Sequence, residues 1–191
     1  MRNRAIFLDR DGTMNEEVGY VNHLDRFKLY PWTAEAVRRI NRAGYKAIVL
    51  TNQSGVARRY MSERLVQQVH EKLQLELRQQ GAFLDAIYYC PHHPAAPDPD
   101  YRVACRCHKP EPGMVEQAQR DFDVDVHRSY FIGDKYLDVE LAHRVGAKGI
   151  LVLTGYGRGE YEFQRHMWPR PPDHIAENLL AAVAWILDQS S

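Results

Sequence analysis

Four apolar residues, Ala5-Ile6-Phe7-Leu8, run without a polar interruption into Asp9-Arg10-Asp11-Gly12-Thr13. A strand that is apolar at every position has no solvent face, so it belongs inside a sheet covered on both sides. Its end then delivers acids. Alternate residues of an extended segment point the same way, so Asp9 and Asp11 address one small volume, and Gly12 lets the chain turn away from it. Two carboxylates held close together share a metal or divide into a nucleophile and an acid/base, because their surroundings can push their pKa values apart. D-x-D-G also occurs in calcium loops, but Thr13-Met14-Asn15 does not continue with the acids that an EF-hand requires.

The same pattern recurs along the chain. Apolar runs at Ala5–Asp9, Ala47–Thr51, Ala86–Tyr89, Tyr130–Gly133 and Ile150–Thr154 predict strands. Between them, Thr33–Arg42, Ser62–Gln80, Met114–Phe122 and Tyr136–Val145 read as helices, the first two closed by Gly44 and Gly81, and a last helix is expected over Ile175–Leu187. Leu65, Val69, Leu73 and Leu77 form the buried stripe of the long helix. This alternation predicts an α/β fold, a Rossmann-like parallel sheet with helices on both faces. At 191 residues it makes one domain over 1–191, with a loop insertion at 90–112 and an irregular segment at 155–174 before the C-terminal helix. No insertion is long enough for a separate cap domain.

In open parallel sheets ligands bind beyond the carboxyl ends of the strands. Every polar motif falls at such an end: Asp9 and Asp11, then Thr51-Asn52-Gln53-Ser54-Gly55, then Cys90-Pro91-His92, then Gly133-Asp134-Lys135. Together they supply the parts of a phosphoryl-transfer site. Asp9 is the candidate nucleophile, and Asp11 the acid/base, provided its pKa is raised towards neutrality. Asp134 adds a carboxylate for a magnesium ion. Asp138, one helical turn beyond, is read as a capping or supporting residue and not a direct ligand. Thr51 offers a hydroxyl, and Asn52 to Ser54 a row of backbone donors. Lys109 supplies a cation, which Pro110 is expected to project outward from an extended backbone.

Cys90-x-His92 and Cys105-x-Cys107 carry all three cysteines and match a four-ligand structural zinc site. The loop they span contains four prolines before Cys105 and would be poorly ordered without a clip. His93 could replace His92 as the ligand, but is expected to face solvent or support the site. Charge narrows the partners. With 25 basic and 25 acidic residues, no global field recruits nucleic acid or an anionic membrane. The N-terminus lacks a signal-peptide core, so a cytoplasmic monomer acting on a small molecule is expected.

With these residues in place, the chain resembles the haloacid dehalogenase superfamily. The motifs are Asp9-Arg10-Asp11-Gly12-Thr13, Thr51, Lys109 and Gly133-Asp134. Within it, Gly19-Tyr20-Val21, the stretch Thr51 to Arg58, Tyr88 to Pro94 and Lys109 to Met114 resemble the D-glycero-D-manno-heptose 1,7-bisphosphate phosphatase family. That resemblance, from about residue 5 to 154, implies a Mg²⁺-dependent hydrolase with a structural Zn²⁺. It implies removal of the C7 phosphate of a heptose bisphosphate on the way to nucleotide-activated heptose for cell-surface polysaccharide. It also implies that Asp11 binds the ion through its carbonyl, and that Glu17, Val18, Gly19, Tyr20, Asn52, Gln53, Ser54, His108 and Lys135 face the sugar phosphate.

His108 stands where the family commonly has arginine. Arginine holds phosphate bidentately at any pH and histidine does not. Gly155 to Glu160 has no assigned counterpart and reads as a surface loop, with Arg158 a possible second cation. Three rivals stand beside this reading. A histidinol-phosphate phosphatase usually has Asp at the position of Ser54. A polynucleotide 3′-phosphatase has no comparable cysteine loop. A catalytically silent zinc-clipped binding protein has no need of four intact acid and lysine positions.

Overall fold

The computed structural model describes residues 2–189 and contains one six-stranded sheet, all of its strand pairs parallel. Its strands are β1 (Ala5–Leu8), β2 (Lys46–Asn52), β3 (Ala86–Cys90), β4 (Tyr130–Gly133), β5 (Lys148–Val152) and β6 (His174–Ala176), in spatial order β3-β2-β1-β4-β5-β6. The order reverses between β1 and β4, so the crevice for a ligand opens over the ends of these two strands.

The continuous apolar runs are explained by two cores. Ile6 and Leu8 face α1 (Thr33–Arg42), α2 (Glu63–Gln79) and α6 (Leu179–Asp188), in a cluster with Val37, Ile40, Leu73, Leu77 and Ile186. Ala5 and Phe7 face the other way, onto α3 (Gly113–Phe122) and α4 (Tyr136–Arg144), with Met114, Val115, Ala118 and Leu141. All four β1 side chains are thus buried at 0–1% exposure, and the strand can be apolar throughout. No helix among the described residues is long and apolar enough to cross a membrane.

The structure departs from expectation after residue 154. The segment expected to be irregular carries α5 (Gly157–Gln164), a 3₁₀ turn at Arg165–Met167 and the edge strand β6. The last helix begins at Leu179 and not at Ile175, because the Asn178 side chain accepts from the Ala181 amide and caps it there. The preceding residues are released to pair with β5, Ile175 opposite Leu151.

Candidate active site

Asp9 leaves β1 as Asp134 leaves β4. The Asp9 amide donates to the Ile132 carbonyl at 2.9 Å, which fixes the two strand ends side by side. Asp9, Asp134 and Asp138 each offer an oxygen within 4.8 Å of the others. Two glycines allow this approach. A Cβ on Gly12 (φ +78°) or on Gly155 (φ +54°) would fall 2.1 Å from Asp134 Oδ2. The backbone on both sides is therefore pressed against this carboxylate, in conformations that favour glycine. Asp134 Oδ2 accepts from the Tyr156 amide at 2.9 Å, while Asp134 Oδ1 and Asp138 Oδ2 are buried with no protein partner. Burial, then the Asp9 charge, pushes the Asp134 carboxyl well above its ordinary value. Burial likewise pushes Asp138 up to about 7 despite the opposing charge of Lys109. Three mutually repelling carboxylates, two of them with an orphaned buried oxygen, fit a hard divalent cation such as magnesium.

Lys109 lies inside and does not project outward. It is 3% exposed, and its Nζ donates to Asp9 Oδ1 at 2.9 Å and Asp138 Oδ1 at 2.6 Å. Burial works against its charge, but Asp138 and Asp9 outweigh it and hold the ammonium above its ordinary pKa. Asn52 secures the backbone beneath: its Oδ1 accepts from the Lys109 amide at 2.9 Å, and its Nδ2 donates to the Lys109 carbonyl at 3.1 Å. Asp138 thus holds the lysine, in line with a supporting role, yet it also offers an oxygen to the carboxylate cluster.

Asp11 lies apart from that cluster and lines the adjoining cavity of about 320 Å³. Its carboxylate receives Arg10 Nη2 at 2.8 and 2.7 Å, Asn15 Nδ2 at 2.9 Å and Gln53 Nε2 at 2.9 Å. Burial pushes this carboxyl upward. The Arg10 charge and the hydrogen bonds from Asn15, Arg10 and Gln53 together outweigh it and leave the pKa below its ordinary value. The expectation of a pKa raised towards neutrality is reversed, because the residue between the two aspartates turns its guanidinium onto Asp11.

Thr51 is 1% exposed, and its hydroxyl lines the cavity while accepting from Gln53 Nε2 at 2.8 Å. Glu17, Gly19, Tyr20, Asn52, Gln53, Ser54, His108 and Lys135 line the cavity, as expected of substrate-facing residues. Val18 does not; it packs against the apolar core, and Val21 takes the place on the cavity wall. Burial and the neighbouring Asp11 and Asp9 raise Glu17 against the hydrogen bond from the Gly19 amide. Lys135 is held above its ordinary pKa: burial opposes, but Asp134, Asp9 and Glu17 prevail. Its Nζ lies 4.4 Å from the Tyr156 ring centroid.

Arg58, His93 and Tyr156 also line the cavity, although no substrate-facing role is expected of them from the sequence. Gly155 to Glu160 is only in part a surface loop: Gly157 to Glu160 opens α5, and Gly155-Tyr156 is an exposed turn packed onto the site. It carries the Tyr156 amide to Asp134, and the Thr154 hydroxyl donates to the Gly12 carbonyl at 2.5 Å. Arg158 points elsewhere, to Glu177 at 3.2 Å.

Outside the cavity, Cys90 Sγ, His92 Nδ1, Cys105 Sγ and Cys107 Sγ converge within 4.8 Å of one another. Cys107 Sγ lies 3.0 Å from Cys90 Sγ and 3.3 Å from His92 Nδ1. A Cys₃His donor set of this compactness fits zinc. His93 is outside it, paired with Arg58 Nη2 at 2.9 Å. Burial, then the charge of His93, lowers the His108 pKa.

Residues 106–182 match a family model described as HAD-hydrolase-like, and residues 5–140 match that of polynucleotide kinase 3 phosphatase. The D-glycero-D-manno-heptose-1,7-bisphosphate 7-phosphatase of Thermosynechococcus vestitus is 44% identical over 191 residues, covering 95% of this chain and 94% of its own. The enzyme of that name from Chlorobaculum tepidum is 40% identical, covering 97% and 96%. A solved structure of D,D-heptose 1,7-bisphosphate phosphatase from B. bronchiseptica, complexed with magnesium and phosphate, is similar with a TM-score of 0.85. It is 31% identical and covers 97% of this chain and 99% of its own. The parallel sheet with acids at its central strand ends is that of a haloacid-dehalogenase-type phosphatase. Within that class, the chain belongs to the D-glycero-D-manno-heptose-1,7-bisphosphate 7-phosphatase family.

Proposed function

We propose that the chain hydrolyses the C7 phosphate of D-glycero-D-manno-heptose 1,7-bisphosphate, with Asp9 as nucleophile and Asp11 as acid/base. The observation that carries this is the separation of the two aspartates: Asp9 belongs to the carboxylate cluster and its lysine, whereas Asp11 stands outside that cluster on the wall of the same cavity. Lys109 holds Asp9 Oδ1. The other oxygen attacks phosphorus, the bond to the sugar oxygen breaks, and Asp11 gives that oxygen a proton. Water then attacks the aspartyl-phosphate, Asp11 takes its proton, and Asp9 is regenerated as phosphate leaves. As held by Arg10, Asp11 is in the form that takes the proton; a phosphate dianion beside it favours the protonated form that gives one.

Thr51 and Lys109 steady the phosphoryl group, and Lys135 brings a second cation to the same cavity. Asp9, Asp134 and the Asp11 carbonyl would hold magnesium, together with the free oxygen of Asp138. When bound, the ion neutralises phosphate oxygens. Cys90, His92, Cys105 and Cys107 would hold zinc and clip the loop carrying His93, His108 and Lys109 to the cavity.

The test is kcat/KM for both anomers of heptose 1,7-bisphosphate, for histidinol phosphate and for a 3′-phosphorylated oligonucleotide, which the match over residues 5–140 makes a fair competitor. A preference of at least about tenfold for one heptose anomer, roughly 1.4 kcal/mol, supports the reading. The same margin for either competitor overturns it.

A further inference from the structure

Arg10 is a fully buried arginine, 0% exposed, with every nitrogen engaged. Nη2 and Nε donate to Asp11, Nη2 also reaches Gln53 Oε1 at 3.1 Å, and Nη1 lies 3.2 Å from His70 Nε2. His70 comes from α2. It interrupts the apolar stripe of Val66, Val69, Leu73 and Leu77 and is itself 7% exposed. Burial, then the Arg10 charge, lowers its pKa to about 3, so it is neutral at working pH. A neutral imidazole can accept from the guanidinium only with its proton on Nδ1.

A buried ion pair is a poor way to stabilise a core, since well-packed apolar residues do as well or better. Placing one here, with a second buried polar residue behind it, is explained by what it holds. We propose that Arg10 and His70 are positioning residues for the phosphoryl transfer: His70 fixes the guanidinium of Arg10, and Arg10 fixes the Asp11 carboxyl at the cavity wall. The inference rests on the reading of Asp11 as acid/base. His70 does not line the cavity, so it reaches the reaction through Arg10 alone. Gln53, which bonds Arg10, Asp11 and Thr51, links this clamp to the phosphate side.

A loosely held acid harms only steps that need its proton. Release of a sugar alkoxide needs one, and release of an acidic phenol does not. The experiment compares kcat/KM for heptose 1,7-bisphosphate and p-nitrophenyl phosphate in the magnesium-loaded wild type and in Asp11→Asn, Arg10→Met, His70→Leu and His70→Gln. For a merely structural role both substrates lose equally. Asp11→Asn is expected to lose about 10²- to 10⁴-fold on the sugar ester and far less on the aryl ester. Arg10→Met and His70→Leu are expected to repeat that selective loss, about tenfold for His70→Leu, with KM unchanged. His70→Gln restores an acceptor and recovers most of it. Where Arg10→Met fails to fold, the two His70 variants decide, because they leave the ion pair in place. Equal losses on both substrates, or none, alongside a selective Asp11→Asn, overturn the proposal. An unselective Asp11→Asn overturns the acid/base reading, and the proposal falls with it.

Discussion

Replacing Lys109 by methionine removes the one cation that touches both Asp9 and Asp138, at 2.9 and 2.6 Å and 3% exposure. The cluster then holds three repelling carboxyls, and the fold responds by keeping one of them protonated. In the wild type Asp138 is already raised from 3.8 to about 7, so up to pH 7 both proteins bear nearly the same cost of keeping it neutral; above pH 7 the variant, in which it stays protonated, loses a further 1.36 kcal/mol for each pH unit, under about 1 kcal/mol at pH 7 and about 2.7 kcal/mol at pH 9. The sign follows from proton counting: the folded variant binds the extra proton, so its stability rises as pH falls. Asp138, already pushed up to about 7 with the lysine present, is the carboxyl that takes it. Urea unfolding of wild type and Lys109→Met in magnesium-free buffer at both pH values reads the difference. Adding Asp138→Asn to both closes a double-mutant cycle in which removing Lys109 should then matter less. A loss at pH 9 that does not exceed the loss at pH 7 by at least about 1 kcal/mol refutes the reasoning.

Asp9→Asn is expected to abolish turnover and to leave no phosphoryl adduct detectable by intact-protein mass spectrometry, with its thermal midpoint preserved. Cys105→Ala combined with Cys107→Ala should lose zinc by metal analysis and expose residues 90–112 to limited proteolysis; undiminished zinc would reject the four-ligand clip. His70 is held neutral in the fold with its pKa lowered from 6.5 to about 3, so only the unfolded chain takes its proton across that interval. Wild-type stability therefore falls relative to His70→Leu as pH drops from 6.5 towards 3, by up to about 4 kcal/mol in denaturant titrations. Gly12→Ala places a methyl 2.1 Å from Asp134 Oδ2 at positive φ, and should cut kcat by orders of magnitude, read against circular dichroism to show the sheet intact.

The strands that deliver the chemistry were legible because their signal is local. Ile6 and Leu8 serve one core and Ala5 and Phe7 the other, so a two-sided strand is written as an unbroken apolar run. The polar residue that ends each run then marks the site. The convergence of Cys90, His92, Cys105 and Cys107 is legible for the same reason, as two short pairs of uncommon residues. Arg10 and His70 were not: 60 positions separate them, and nothing local says that a charge beside the nucleophile folds inward. His70 did leave a trace, as a polar residue in an otherwise apolar helical stripe. Gly155 and Tyr156 read as a loose loop because glycine spacing cannot tell an exposed turn from backbone pressed against a carboxylate. β6 was absorbed into a helix although Asn178, a strong N-cap, stood in the sequence to end it.

The carboxylates of this cavity differ in what surrounds them, and that divides their work. Asp11 has a guanidinium to itself together with amide donors from Asn15 and Gln53, and stays ionised away from the metal cluster. Asp9 and Asp138 share the Lys109 ammonium, and Lys135 acts on the cluster by its charge from the cavity wall. Fully ionised, that second group carries three negative charges, and Lys109 touches only two of them. The remaining excess of negative charge is what a magnesium ion would offset, and the raised values of Asp134 and Asp138 express the same imbalance in protons. Arg10 thus separates Asp11 from the carboxylate cluster: it gives that carboxyl a cation of its own on the cavity wall. A lysine or glutamine at position 10 could not both fork onto Asp11 and reach Gln53 and His70, whereas the planar guanidinium does all three from one buried place.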